Sequence, residues 1–153
     1  MISRFRDPEE NWQPFTIGDK KVCLKNAGRW HLDEAMSTCE GLGASLPLPR
    51  NEQENTDLNA AFQSLRAYVV ALGATDVETE GSWVDSNGDR LTYFNWFDNG
   101  SIEESSNHYG ENYVVYVPMY NGTWGDNNGR AVVDVVCQKP QLTGKCITSF
   151  LLF

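Results

Sequence analysis

The chain of 153 residues is long enough to bury a hydrophobic core of its own, and this length suits a single domain. Its 21 acidic and 12 basic residues give a formal charge of -9, which argues against nucleic acid as a partner because phosphate binding depends on lysine and arginine. The same charge disfavours anionic membrane surfaces and is compatible with cation binding, and no apolar run is long enough for a transmembrane segment.

The first elements predicted along the chain are a strand and a helix that follow an N-terminal arm of residues 1–14. The arm is polar, and we expect it to pack loosely. Val22–Lys25 is a candidate first strand. Apolar residues at nearly helical spacing predict a helix within Trp30–Cys39, which Gly41 and Gly43 can end.

A second helix is predicted from its start signal and from its apolar stripe. Asn51 can cap the first turn, and Glu54, three residues later, completes a capping box. The residues at helical spacing that follow form one apolar face, which we expect to lie in the core. These residues are Leu58, Ala61, Phe62 and Leu65.

The second half of the chain is predicted to consist of strands and loops. Tyr68–Leu72 is typical of a buried strand, and Asn87-Gly88 is a hairpin signal in which both residues would adopt positive φ. Three further short runs are rich in β-forming residues: Leu91–Tyr93, Tyr113–Val117 and Val132–Gln138. Two helices followed by a β-rich half predict an α+β domain.

The cysteines indicate an oxidising, and therefore extracellular, compartment. Their even number, without Cys-x-x-Cys spacing, predicts two disulfides, for which three connectivities are open. Two sequons, Asn99-Gly100-Ser101 and Asn121-Gly122-Thr123, fit a secreted glycoprotein. The four cysteines are Cys23, Cys39, Cys137 and Cys146.

Between Asp76 and Cys137, acidic and amide side chains on predicted loops alternate with tryptophans and glycines. Oxygen ligands on loops are what a hard cation such as calcium selects, so this part of the chain predicts a Ca²⁺ site. The motifs that frame it are Trp30-x4-Ala35-x3-Cys39, Val70-Ala71-Leu72-Gly73, Gly81-Ser82-Trp83, Leu91-x-Tyr93-x-Asn95-Trp96, Trp124-x-Asp126 and Val136-Cys137.

In this order the motifs resemble the C-type lectin-like domain, in the long-loop form of the mannose-binding lectins. The resemblance runs from about Phe15 to Lys139. It implies a lectin-like domain over residues 15–140, with two helices, short antiparallel sheets and a long ligand-binding loop. Residues 141–153 would then form a C-terminal tail that is clamped to the domain.

The resemblance also implies how the cysteines pair. It implies two disulfides, Cys39 with Cys137 and Cys23 with Cys146. One of the two disulfides usual in the family would be missing, because Tyr113 and Gly129 stand where its cysteines are expected. The extra bond to the tail would offset part of that loss.

In the lectins that this chain resembles, one calcium ion is bound by an E-P-N triplet, a later glutamate and a W-N-D motif, and it also binds the sugar. The later glutamate matches Glu111, the W-N-D aspartate matches Asp126, and its asparagine falls on Gly125. The triplet matches either Glu104-Ser105-Ser106 or Ser105-Ser106-Asn107, and neither contains the proline. The resemblance therefore implies an altered ligand-binding site formed by Glu104, Ser106, Asn107, His108, Glu111 and Asp126.

A second, auxiliary calcium position keeps an oxygen donor at every place. The resemblance assigns it to Asp76, Glu80, Asn107, Glu111 and Asn112, with a role in ordering the long loop. Taken with the sugar site, the candidate metal ligands are Asp76, Glu80, Glu104, Asn107, Glu111, Asn112 and Asp126.

Two functions follow from these residues. The first is a secreted, calcium-dependent lectin with an altered sugar site, which binds glycans or glycoproteins. The alternative is a lectin-like module that binds a protein or another non-sugar ligand. An enzyme is disfavoured, because the acids have no partnered histidine and no G-x-S-x-G motif is present. The apolar end Phe150–Phe153 is predicted to pack on the domain or on a second copy, which would make a homo-oligomer.

Overall fold

The computed structural model describes residues 11–97 and 112–147, which form an α+β domain as predicted. The six strands are β1 Gln13–Ile17, β2 Lys20–His31, β3 Val70–Thr75, β4 Tyr113–Val117, β5 Thr123–Asn127 and β6 Val132–Pro140. The two helices are α1 Ala35–Glu40 and α2 Glu52–Ser64, and short 3-10 turns occupy Leu32–Glu34 and Pro118–Tyr120. No helix in these ranges is long and apolar enough to cross a membrane.

The strands form one mixed sheet, rather than the separate short antiparallel sheets that were expected. Their order is β1-β2-β6-β3-β4-β5. Neighbouring strands are antiparallel except β3 and β6, which run parallel and pair Val70 with Asp134. Strands from the two ends of the chain, β2 and β6, therefore pair inside the sheet, and β5 lies at one edge.

The second helix begins and packs as its sequence predicts. The Asn51 side chain accepts a hydrogen bond from the Glu54 N–H at 2.9 Å, which caps the first turn. The Glu54 carboxylate accepts from the Arg50 N–H at 2.8 Å and pairs with Lys20 at 3.0 Å, so it reaches one residue further back than a capping box requires. The predicted apolar stripe is buried in the core: Leu58, Ala61, Phe62 and Leu65.

The first helix is shorter than predicted, because the sheet takes its first residues. Trp30 and His31 remain in β2 and pair with β6, and a 3-10 turn follows before α1 begins at Ala35. Leu32, Ala35 and Cys39 are nevertheless buried, as the apolar spacing indicates. At the start of the chain, Gln13 opens β1 and Trp12 is buried, so the predicted loose arm ends earlier than residue 14.

Three predictions in the second half are corrected by the structure. Tyr68 is exposed and lies outside the strand, which begins at Val70. Leu91–Tyr93 forms no strand, although Leu91 and Tyr93 pack against the core. At the predicted hairpin only Gly88 has positive φ, at 83°, because Asp85 holds the turn by accepting hydrogen bonds from the backbone.

The four cysteines form two disulfides, in the pairs that the resemblance implies, and no free cysteine remains. The Cys39–Cys137 bond joins α1 to β6 across a sequence separation of 98 residues. The Cys23–Cys146 bond joins β2 to the segment after β6 across 123 residues. The described start of the tail is thus clamped to the sheet, and Phe150–Phe153 lies outside the described residues.

Candidate functional site

Asp126 lies on a strand, where the sequence predicted a loop. It belongs to β5 and pairs with Val114 of β4, so its side chain is on the same sheet face as that of Trp124, two residues earlier. Trp124 is completely buried and Asp126 is 4% exposed. The strand thus holds Asp126 at the margin of the core, with its backbone fixed by β4.

Asp76 directly follows β3 and is the most buried acid in the described ranges, at 1% exposure. Its Oδ2 accepts a hydrogen bond from the Gly81 N–H at 2.8 Å. Its Oδ1 is buried and has no hydrogen-bond partner among the described residues. The Asp76 N–H donates to the Asn112 carbonyl oxygen at 3.2 Å, which brings two of the predicted metal ligands side by side.

Asp76 and Asp126 lie on the same face at the same end of the sheet. Asp76 stands two residues after Ala74, which packs in one core cluster with Val114 and Trp124. Thr75 and Tyr113 pair across β3 and β4, and Tyr113 in turn pairs with Asn127 of β5. An acid, an amide and a second acid therefore lie at the ends of three neighbouring strands.

The segment 98–111 begins and ends at this group of residues. On one side, the Phe97 N–H donates to the Trp124 carbonyl oxygen at 2.8 Å, and on the other Asn112 contacts Asp76. Five of the predicted site residues belong to the segment and lie outside the described residues: Glu104, Ser106, Asn107, His108 and Glu111. Two further metal candidates lie within the described residues and differ in exposure. Asn112 is half-buried, whereas Glu80 is exposed in the turn that leads to Gly81.

The donors that are described suit a hard cation in kind but not in number. Within the described ranges, no three His, Cys, Asp or Glu side chains form a group that could hold a metal ion. The buried Oδ1 of Asp76 nevertheless fits a cation, because an unpaired carboxylate oxygen away from water is costly. Calcium takes six to eight oxygens, so the remaining ligands would have to come from segment 98–111.

The missing side chain at Gly125 leaves an apolar cleft of about 240 Å³ on the other face of β5. The cleft is bounded by Val115 and by the rings of Phe97 and Tyr120, whose centroids are 6.1 Å apart. We call it the Gly125 cleft. Gly125 is the residue that the resemblance aligns with the asparagine of the W-N-D motif.

The sequence did not single out Asn55, which fixes Trp124. Asn55 is buried on α2, where its Oδ1 accepts from the Trp124 indole N–H at 2.9 Å and its Nδ2 donates to the Gly122 carbonyl oxygen at 3.0 Å. The Tyr116 hydroxyl donates a hydrogen bond to the Asn55 carbonyl oxygen. Burial is the main cause that raises the pKa of Tyr116, and the charge of Tyr93 adds to it, so the hydroxyl stays protonated. The signal in the sequence was that Asn55 lies three residues before Leu58, so this polar residue falls on the apolar stripe of α2.

Comparison with known proteins places these features in a family. The model of the lectin C-type domain matches residues 28–139. The mouse scavenger receptor C-type lectin carbohydrate-recognition domain superposes with a TM-score of 0.70 at 21% identity, over 86% of this chain and 94% of that chain.

Two further solved structures are similar to this chain. The carbohydrate-recognition domain of cow CD23, in the presence of a GlcNAc2Man3 oligosaccharide, has a TM-score of 0.66 at 23% identity, over 87% of this chain and 95% of that chain. A calcium-independent type II antifreeze protein has a TM-score of 0.67 at 17% identity, over 86% of this chain and 92% of that chain. At such identities the similarity shows the fold alone.

Proposed function

The chain belongs to the C-type lectin domain family, and on that premise we propose that it is an extracellular module that binds glycans or glycoproteins at an altered, calcium-dependent site. The observation that carries the proposal is the group formed by Asp76, Asn112 and Asp126 at the two ends of segment 98–111. The buried, unpaired Oδ1 of Asp76 supports a cation there. Nothing in the described residues points to catalysis, and we propose a binding role only.

We assign different tasks to the two ends of the group. Asp76 and Asn112, with Glu80, Asn107 and Glu111, would hold the auxiliary calcium and so order the segment. Asp126, with Glu111 and an oxygen donor from Glu104, Ser106 or Asn107, would form the sugar site, beside His108. When bound, calcium supplies a positive centre to which sugar hydroxyl oxygens can bind as further ligands. The rigid pairing of β4 and β5 fixes the direction from which Asp126 can contribute.

The experiment compares thermal unfolding and glycan-array binding in calcium and in chelator. Extracellular calcium sites bind at about 0.1–1 mM, so roughly 10 mM calcium should occupy the site. At a hundred times the dissociation constant, a ligand adds about 2.7 kcal/mol to the free energy of unfolding, which raises Tm by several degrees in a domain of this size. An unchanged melting curve, or sugar binding that persists in chelator, would show that the mechanism is wrong.

Two isosteric substitutions separate the two sites. Glu111→Gln should abolish both the calcium-dependent rise in Tm and sugar binding, because Glu111 is assigned to both positions and an amide withdraws one negative charge. Asp126→Asn should reduce sugar binding more than it reduces the calcium response, because Asp126 is assigned to one position only. Equal effects of the two substitutions on the calcium response would contradict this assignment.

A second function, the binding of a protein or another non-sugar ligand, is favoured by the Gly125 cleft. Its apolar lining and the glycine in place of a metal ligand suit an apolar group better than a sugar hydroxyl. A blank glycan array combined with an intact calcium response would select this alternative. We further propose that the family's second disulfide is absent, and that the apolar end of the chain packs on the domain or on a second copy of the chain.

A further inference from the structure

A polar cleft of about 390 Å³ lies beside the start of α2, away from the Asp76 end of the sheet. Its walls come from the first turns of α2, from Tyr93–Asn95 and from Asn121–Thr123. Phe94 is 39% exposed at this cleft, and its ring stacks on Trp96 with centroids 5.7 Å apart. The volume suits one sugar ring, since small-molecule sites in proteins begin at about 300 Å³.

Asn121 stands at the mouth of this cleft in an exposed turn. It ends the 3-10 turn Pro118–Tyr120 in the left-handed conformation, with φ 61° and ψ 31°, and its N–H donates to the Pro118 carbonyl oxygen at 3.0 Å. Its side-chain amide makes no hydrogen bond among the described residues, and Asn121 is one of the residues that line the cleft. An asparagine tolerates this backbone conformation better than most residues do.

The residues after Asn121 complete a sequon whose geometry is firm. Gly122 has φ 72°, and its carbonyl oxygen accepts hydrogen bonds from both Asn55 and Asn95. Thr123 opens β5, and its hydroxyl donates to the Tyr120 carbonyl oxygen at 2.9 Å. The turn is thus anchored to the core through its glycine, while the asparagine remains in solvent.

We propose that Asn121 is a site of N-glycosylation and that the first N-acetylglucosamine of the glycan lies in the adjoining cleft against Phe94. The two disulfides place the chain in an oxidising compartment, where this modification occurs. An aromatic ring can cover the apolar face of a pyranose, while Glu52 and Thr56, both exposed on the first turns of α2, offer oxygen atoms to its hydroxyl groups. The glycan would then bury apolar surface that the bare chain leaves in water.

The chemistry requires a lipid-linked oligosaccharide diphosphate as donor and a cellular oligosaccharide transferase. The Asn121 Nδ2 forms a bond to the anomeric carbon of the first N-acetylglucosamine, and the bond from that carbon to the diphosphate oxygen breaks. The lipid diphosphate leaves with the electron pair, and the amide nitrogen loses one proton. No group is oxidised or reduced.

The modification is tested by mass spectrometry of the full chain secreted from eukaryotic cells. Asn99→Gln removes the other sequon, so any glycan in this variant reports on Asn121. We expect a mass increase that a peptide N-glycosidase reverses and that is absent from Asn99→Gln/Asn121→Asp. Aspartate is the matched replacement because it too tolerates positive φ. If the Asn99→Gln variant is secreted without any mass increase, the proposal is wrong.

The position of the first sugar is tested by thermal unfolding of the Asn99→Gln protein after an endoglycosidase has trimmed the glycan to one N-acetylglucosamine. This form should melt about 2–4 °C above the Asn121→Asp variant, the shift expected from a contact of ordinary strength in a domain of this size. Adding Phe94→Ala should remove that difference, while Tyr68→Ala, at an aromatic residue that is 58% exposed outside the cleft, should preserve it. A difference that survives Phe94→Ala, or no difference at all, would overturn the contact with Phe94.

Discussion

Two buried aspartates, Asp76 and Asp85, differ in how their carboxylates are satisfied. Asp85 accepts hydrogen bonds from the N–H groups of Asn87 and Asp89 and pairs with Arg50 at 3.0 Å. Asp76 accepts one bond, from Gly81, and its other oxygen has no partner among the described residues. A buried carboxylate that is only half satisfied costs free energy, and a bound cation would offset that cost at Asp76.

Asp76→Asn tests this difference. The amide oxygen can still accept from Gly81, and the substitution removes a buried charge, so Tm in chelator should stay equal or rise. The calcium-dependent rise in Tm should disappear. The matched control is Asp85→Asn, which should lower Tm in chelator and leave the calcium response intact. A full calcium response in Asp76→Asn would remove Asp76 from the metal site.

The environment of Asp85 also predicts how stability depends on pH. Burial alone would raise its pKa, but hydrogen bonds from Asp89 and Asn87 and the charge of Arg50 outweigh burial and lower the pKa from its ordinary 3.8. Because the folded pKa is the lower one, its contribution is present above that ordinary value and is lost as pH falls through the folded pKa. Urea unfolding from neutral pH down to about pH 2 should therefore show a shallower acid decline for Asp85→Asn than for the parent. Parallel curves would contradict this.

At the scale of elements, local signals decided which predictions succeeded. The second helix carries its own cap and stripe, so α2 could be predicted from Asn51 and four apolar residues. Strand β5 could not be predicted, because glycine, aspartate and asparagine are rare in strands. Gly125, Asp126 and Asn127 are held in the strand by pairing with β4. The run Leu91–Tyr93 shows the reverse case. Its β-forming residues have no partner strand, and the Leu91 N–H donates one backbone hydrogen bond, to the Trp83 carbonyl oxygen.

Asn55 and Asn59, one turn apart on α2, allow a matched test of how that helix holds β5. Asn55→Ala leaves the buried Trp124 N–H without its acceptor and should lower the free energy of unfolding by about 2–3 kcal/mol. The side-chain oxygen of Asn59 is buried and has no hydrogen-bond partner in the part of the chain that the structure describes, so Asn59→Ala should be neutral or stabilising. Urea unfolding of the two variants measures both values. Equal losses would show that the bond to Trp124 contributes little.

At the scale of the whole molecule, the candidate site depends on contacts between distant parts of the chain. Asp76 and Asn112 are neighbours only because β3 pairs with β4, and no local pattern encodes that contact. The resemblance to a family could therefore name these residues, whereas composition and spacing could only indicate a hard cation. The cysteine pairs are a similar case. The number of cysteines left three connectivities open, and the resemblance to the family selected the one that the structure contains.

The two disulfides differ more in their surroundings than in the loops they close. Separations of 98 and 123 residues predict nearly equal contributions of about 4–5 kcal/mol from chain entropy. Cys39 and Cys137 are both completely buried between α1 and β6. Cys146 is only half-buried, in a tail that the Gln141 side chain also holds by donating to the Val22 carbonyl oxygen at 3.0 Å.

We therefore expect Cys39→Ala/Cys137→Ala to lower Tm more than Cys23→Ala/Cys146→Ala. Opening the first bond loosens a helix within the core, whereas opening the second lets the tail detach from an otherwise intact sheet. Hydrogen exchange should then show lost protection confined to the tail in the Cys23→Ala/Cys146→Ala variant, with its calcium response retained. Chain entropy alone predicts equal losses, or a slightly larger one for the longer loop. Equal Tm values for the two variants would thus assign the effect to the unfolded state rather than to packing.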